Sequence, residues 1–118
     1  MLTLKHPLEV GSVLQSIRED GNLRFVRFFK VIRLVGDCEV ELVELETTKV
    51  LGEFGRTNSD VFFSIYGWKG SVAPSDREME GVVPRIYTVG STGIVRISSV
   101  WTAVPWDGGE IHHNSLDP

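Results

Sequence analysis

One cysteine, Cys38, stands among 118 residues. That excludes an internal disulfide and any multi-cysteine zinc site. Its neighbours Asp37 and Glu39 would oppose thiolate formation, so Cys38 reads as a small half-buried hydrophobe rather than a nucleophile. Long apolar runs are also missing: none approaches the roughly 18–20 residues that span a bilayer. Met1–Gly11, MLTLKHPLEVG, lacks the apolar core of a signal peptide. A cytoplasmic protein without membrane contact is therefore expected. Charge of one sign is lacking as well. Twelve Lys and Arg against 16 Asp and Glu leave a net charge of −4. That balance disfavours a sequence-independent DNA binder, whose affinity comes from cations on phosphates. It is also too dilute for a nucleic-acid mimic. There is no Ser-x-x-Lys, Gly-x-Ser-x-Gly or His-Glu-x-x-His, no phosphate loop, no internal repeat and no sustained helical period.

What is present is Arg24–Val50, RFVRFFKVIRLVGDCEVELVELETTKV. Its periodicity is ambiguous, but three Phe with Val26, Val31, Ile32 and Val35 suit a pleated surface. Gly36-Asp37 can supply the positive φ of a tight hairpin turn. With those two residues as the loop, Val35 lies opposite Cys38, Val31 opposite Leu42, Phe28 opposite Leu45 and Arg27 opposite Glu46. A basic strand then lies beside an acidic one, so that charges cross-pair. One face carries Phe25, Phe29, Val31, Val35, Val40 and Leu42; the other carries Val26, Phe28, Ile32, Leu34, Val43 and Leu45. A hairpin apolar on both faces is covered twice. The apolar phase slips between Leu42 and Val43, which predicts a bulge there.

The remaining chain reads as shorter strands. Val10–Ile17 forms a first strand, with a short helix from Pro7 as its competitor, and Arg18–Asn22 a polar turn. Gly52–Asp60 is a loop, or a weak strand end carrying Phe54, and Val61–Trp68 a strand. Ser71–Gly81 is polar, with a helical turn over Ser75–Met79 in a capping-box pattern. Val82–Val89 and Gly93–Trp101 form a second hairpin, and Trp106–Gly109 a turn. Residues 110–118 read as a polar, mobile tail. The expected fold is all-β or strongly β-rich: one domain over 1–109, a small antiparallel partly open barrel or roll with at most one short helix.

No catalytic residue, metal ligand or cofactor is expected. His112 and His113 are adjacent, and neighbours on an extended chain point to opposite faces, so they do not make a metal pair. Trp68, Trp101 and Trp106, joined by Tyr66 and Tyr87, sit near strand ends. They can plug a barrel or anchor an interface, and they are the candidate binding residues. With Lys69, Arg85 and Arg96 nearby in sequence, a stacking surface for single-stranded nucleic acid is the competing reading.

Several stretches together resemble a family of small uncharacterised proteins of bacteriophages and their hosts. They are Val10-Gly-Ser-Val, Asn22-Leu-Arg-Phe-Val-Arg-Phe-Phe-Lys-Val-Ile, Val40-Glu-Leu-Val-Glu-Leu-Glu-Thr, Arg96-Ile-Ser-Ser and Pro105-Trp-Asp-Gly-Gly. Members typically show a Gly-Asp-Ile strand, a Phe-Tyr-Gln-Val-Val strand and a terminal Trp-Asp-Gly. A Trp-Gly-Tyr-Asp-Gln-Thr-Asn stretch before the second strand is replaced here by Ile17-Arg-Glu-Asp-Gly-Asn22. The resemblance implies a phage or mobile-element origin. The expectation is a non-enzymatic accessory protein that binds a host or phage protein, as an inhibitor of a host defence complex would. The alternative is a small nucleic-acid-binding barrel.

Overall fold

The computed structural model describes residues 6–56 and 66–115. They form eight strands and no helix: β1 (Val13–Asp20), β2 (Leu23–Val35), β3 (Glu39–Arg56), β4 (Tyr66–Glu78), β5 (Arg85–Thr88), β6 (Val95–Arg96), β7 (Thr102–Pro105) and β8 (Ile111–Asn114). All pairings are antiparallel. The order β3-β4-β8-β2 closes on itself through the β2–β3 pair, giving a four-strand barrel. The other strands run outward from that pair as β5-β3-β2-β1-β7-β6. The two ends of this second layer meet at one bridge, Val89↔Val95. Closing a sheet removes the unpaired edges that would otherwise template association.

The β2–β3 hairpin is shared by both units, which is why it is apolar on both faces. Val26, Phe28 and Leu45 point into the barrel with Trp68, Val72 and Ile111. Phe29, Val31, Val40 and Leu42 point into the second layer with Leu14, Val95 and Ala103. The expected pairs Val31↔Leu42 and Phe28↔Leu45 are present. The turn holds three residues rather than two, Gly36 to Cys38, with Gly36 at φ 60°. Val35 therefore pairs with Glu39, and Cys38 is exposed rather than half-buried. The register shift falls at Ile32 on β2, not between Leu42 and Val43. The extra residue at Ile32 turns Leu34 to the second layer's core, away from the face that strict alternation assigns it.

Four further expectations are resolved by the strand pattern. From 52 onward the strand-end reading holds over the loop, through Arg56, and the expected helical turn at Ser75–Met79 lies mostly within β4. There the register slips between Leu45↔Glu78 and Thr47↔Pro74, and the Ser75 hydroxyl accepts the Arg77 N–H at 3.1 Å. A local side-chain bond thus satisfies the bulge that the capping-box pattern imitated. Residues 111–114, expected in a mobile tail, form β8, which closes the barrel between β4 and β2. The second hairpin is reduced to the Val89↔Val95 bridge, because β5 pairs along β3 and β6 along β7. The expected strand at 61–65 lies outside the described residues.

β3 and β4 stay paired from Thr47↔Pro74 to Arg56↔Tyr66; β8 lines the other edge of β4 over Lys69–Val72, and the two strands run on past it as a ribbon to Arg56↔Tyr66. The molecule measures 63 × 26 × 25 Å. The strands cross closely at Gly52↔Gly70. A Cβ on Gly52 would collide with the Lys69 carbonyl oxygen and sit 2.7 Å from the Gly70 Cα; one on Gly70 would lie 2.5 Å from the Gly52 Cα. Trp68 closes the barrel under this crossing, with its ring 4.8 Å from Phe54.

Candidate functional site: a cation–aromatic trough

Strand alternation builds the site. On the second-layer side, β1 carries Leu14, Ser16 and Arg18, directly opposite Phe29, Arg27 and Phe25 of β2. Glu44 of β3 lies opposite Phe29. The same face is thus apolar around Leu14 and Phe29, and becomes charged and aromatic toward Arg18 and Phe25.

At its centre Arg27 forms a two-pronged ion pair with Glu44, Nε to Oε2 at 2.9 Å and Nη2 to Oε1 at 2.5 Å. Glu44 is only 6 % exposed. The hydrogen bonds that Arg27 donates to Glu44 raise the Arg27 pKa, against the opposing effect of burial. Arg27 was expected opposite Glu46. The ladder instead ends at Phe28↔Leu45, and the guanidinium reaches diagonally to the carboxylate on its own face. It also lies 5.1 Å from the Phe29 ring centroid and 4.8 Å from that of Trp101, a cation–π arrangement on two rings. Trp101 is held by its own turn, its carbonyl accepting the Ile97 and Ser98 N–H groups. The buried Ser16 hydroxyl donates to the Thr102 carbonyl at 2.8 Å and fastens that turn to β1.

Clefts lie on both sides of Arg27. The larger, about 430 Å³, is lined by Arg27, Phe29, Glu44, Arg85, Tyr87 and Ser98 among others. The smaller, about 300 Å³, is lined by Arg18, Phe25, Val26, Arg27, Trp101 and His113. His113 enters from β8. Its Nδ1 accepts the Val26 N–H at 3.2 Å, so the neutral ring carries its proton on Nε2. Phe25 packs edge-on against it at 6.0 Å.

Burial, with help from Lys49 and His112, lowers the His113 pKa below its ordinary 6.5. The unfolded chain therefore takes up this proton first as pH falls. Stability from the neutral ring is complete above about pH 6.5 and is lost as pH drops toward the lowered folded value. The urea midpoint is expected to fall between about pH 7.5 and pH 5.5, and His113→Asn, which keeps an acceptor for Val26, should reduce that fall. An equal fall in the variant would assign the acid sensitivity elsewhere.

The five candidate aromatics do not form one patch. Trp101 and Tyr87 line the trough. Trp68, a candidate anchor or barrel plug, is the plug: it is 8 % exposed and packed in the barrel core. β4 turns it inward, and its indole N–H is buried with no partner among the described residues. Trp106 caps the same core edge-on to Phe28 at 6.2 Å and donates its N–H to the Gly109 carbonyl at 2.8 Å. The side chain of Tyr66 lies outside the described residues. Sequence reasoning missed Arg18, Phe25 and His113. Arg18 was assigned to a turn and His113 to a tail, so their shared face had no visible signal.

Among the described residues, no group of three or more His, Cys, Asp or Glu side chains is placed to hold a metal ion. No helix among them is long and apolar enough to cross a membrane. Fold and trough together define a small all-β protein with a closed four-strand barrel and a cation–aromatic surface at the side of its shared hairpin. No protein-family model, curated protein or solved structure matches the chain.

Proposed function

We propose that this chain acts by protein–protein binding, without chemistry of its own, through the trough around Trp101. The observation that carries this reading is the gathering of Trp101, Tyr87, Arg27 and Arg85 beside two clefts. Tryptophan, tyrosine and arginine are the residue types that most often anchor interfaces. The paired Arg27–Glu44 charges leave the trough only modestly cationic, which favours a protein over a polyanion. The resemblance to small phage proteins supplies a setting: a cytoplasmic accessory protein of a phage or mobile element, with a host defence complex as a fitting target.

Tagged protein, used to capture partners from host lysate with and without nuclease, tests this. A stoichiometric, nuclease-resistant partner is expected, and Trp101→Ala should weaken its binding about 30-fold, as for an interface anchor. Recovery that vanishes with nuclease, and falls steeply between low and moderate salt, would instead establish the nucleic-acid-binding barrel.

A further inference from the structure

Resting on the protein-binding reading, we propose that the smaller cleft receives a single carboxylate flanked by an apolar side chain, presented by an acidic peptide segment of the partner. The charges in the cleft are unequal in availability. Arg27 is already matched by Glu44, whereas Arg18 has no ion-pair partner among the described residues. One uncompensated guanidinium thus stands at the wall of a slot otherwise made of Phe25, Val26, Trp101 and His113. Guanidinium is the donor best shaped for a carboxylate, which it can hold by two parallel hydrogen bonds. The His113 ring, with Nδ1 occupied by the Val26 N–H, has its remaining N–H on Nε2 to offer as a second donor. Phe25 and Trp101 supply apolar area for the group beside the carboxylate.

The same observations select a peptide over a nucleic-acid strand. A strand brings a charge with every nucleotide and needs a track of cations. Within the smaller cleft the free cation is single, Arg85 lying in the other cleft, and Asp20, exposed two positions along from Arg18 on β1, lies on the same strand face. It would repel the next phosphate. A cleft of about 300 Å³ accommodates one or two side chains, and the chain carries a net charge of −4.

The test uses the full chain labelled with 5-fluorotryptophan, whose three resonances are assigned by single Trp→Phe variants. The probes are acetyl-Phe-Glu-Leu-amide, its glutamine counterpart and an oligothymidylate. Saturable movement of the Trp101 resonance by the glutamate peptide, with Trp68 and Trp106 unmoved, is expected. Glutamine in the peptide, or Arg18→Gln in the protein, should weaken binding about tenfold or more. Equal binding of the two peptides, no saturation at millimolar concentration, or tighter salt-dependent movement by oligothymidylate would overturn the assignment. A lysate partner that needs Trp101 but binds the Arg18→Gln protein undiminished would overturn it too, while leaving protein binding in place. Peptide discrimination without any Trp101-dependent protein partner would support the carboxylate site and remove the protein-binding reading.

Discussion

Replacing Arg27 with methionine is expected to destabilise the fold by about 3 kcal/mol or more, measured as ΔG of urea unfolding. The cost arises less from what Arg27 contributes than from what its removal leaves behind. Glu44 is 6 % exposed and directs both oxygens at this one guanidinium. Without it, a carboxylate stays buried between strands and loses the cation that holds both of its oxygens. The double variant Arg27→Met with Glu44→Leu should recover most of the loss, because replacing a buried ion pair by apolar groups of similar volume is often neutral. Recovery by the double variant would establish that the pair matters for the trough's charge pattern more than for net stability. A single variant within about 0.5 kcal/mol of the parent, the range of ordinary surface changes, would contradict the burial of Glu44.

The second large effect is expected where β3 and β4 cross at Gly52↔Gly70, in the wall of the barrel. Gly70→Ala places a methyl group 2.5 Å from the Gly52 Cα and into the Leu51 carbonyl oxygen. These are backbone atoms, which no side-chain rotation can relieve. The strands must separate, and Trp68, which packs against Phe54 at the same place, loses its cover. A loss of about 3 kcal/mol is expected, at the upper end of overpacking costs. Amide exchange should rise along Thr48–Phe54 and Gly67–Val72 and remain slow in the second layer's core, at Val31 and Leu42. Uniform exchange across both units would mean that the barrel and the second layer open as one.

A large part of the architecture was legible in the chain, and the reasons are local. Three phenylalanines with β-branched neighbours, stopped by Gly36-Asp37, specify a hairpin because packing on a pleat and positive φ at a turn are short-range demands. Apolar residues on both of its faces required cover on both sides, and the two cores provide it. Local patterns mislead where two structures share them. Ser75 with Glu78 looks like a helix start, yet the same hydroxyl bonds across a bulge in β4. His112 and His113 lie in a polar stretch, and polarity alone cannot reveal that the buried Ile111 and Asn114 hold this segment in a closing strand.

The β class, the central hairpin, much of its register and the lack of familiar catalytic motifs can all be read from the residues in order. Each of these follows from residue type and alternation within a few positions. Only the tertiary structure decided that β8 closes a barrel, that Trp68 is core and Trp101 is not, and that Arg27 pairs with Glu44. It alone placed Arg18, Phe25 and His113 around one cleft, although His113 is 95 residues from Arg18 in the chain. Alternation states which side chains share a face of one strand. Which faces meet depends on strand order and closure, and these are set by the burial of all the strands together.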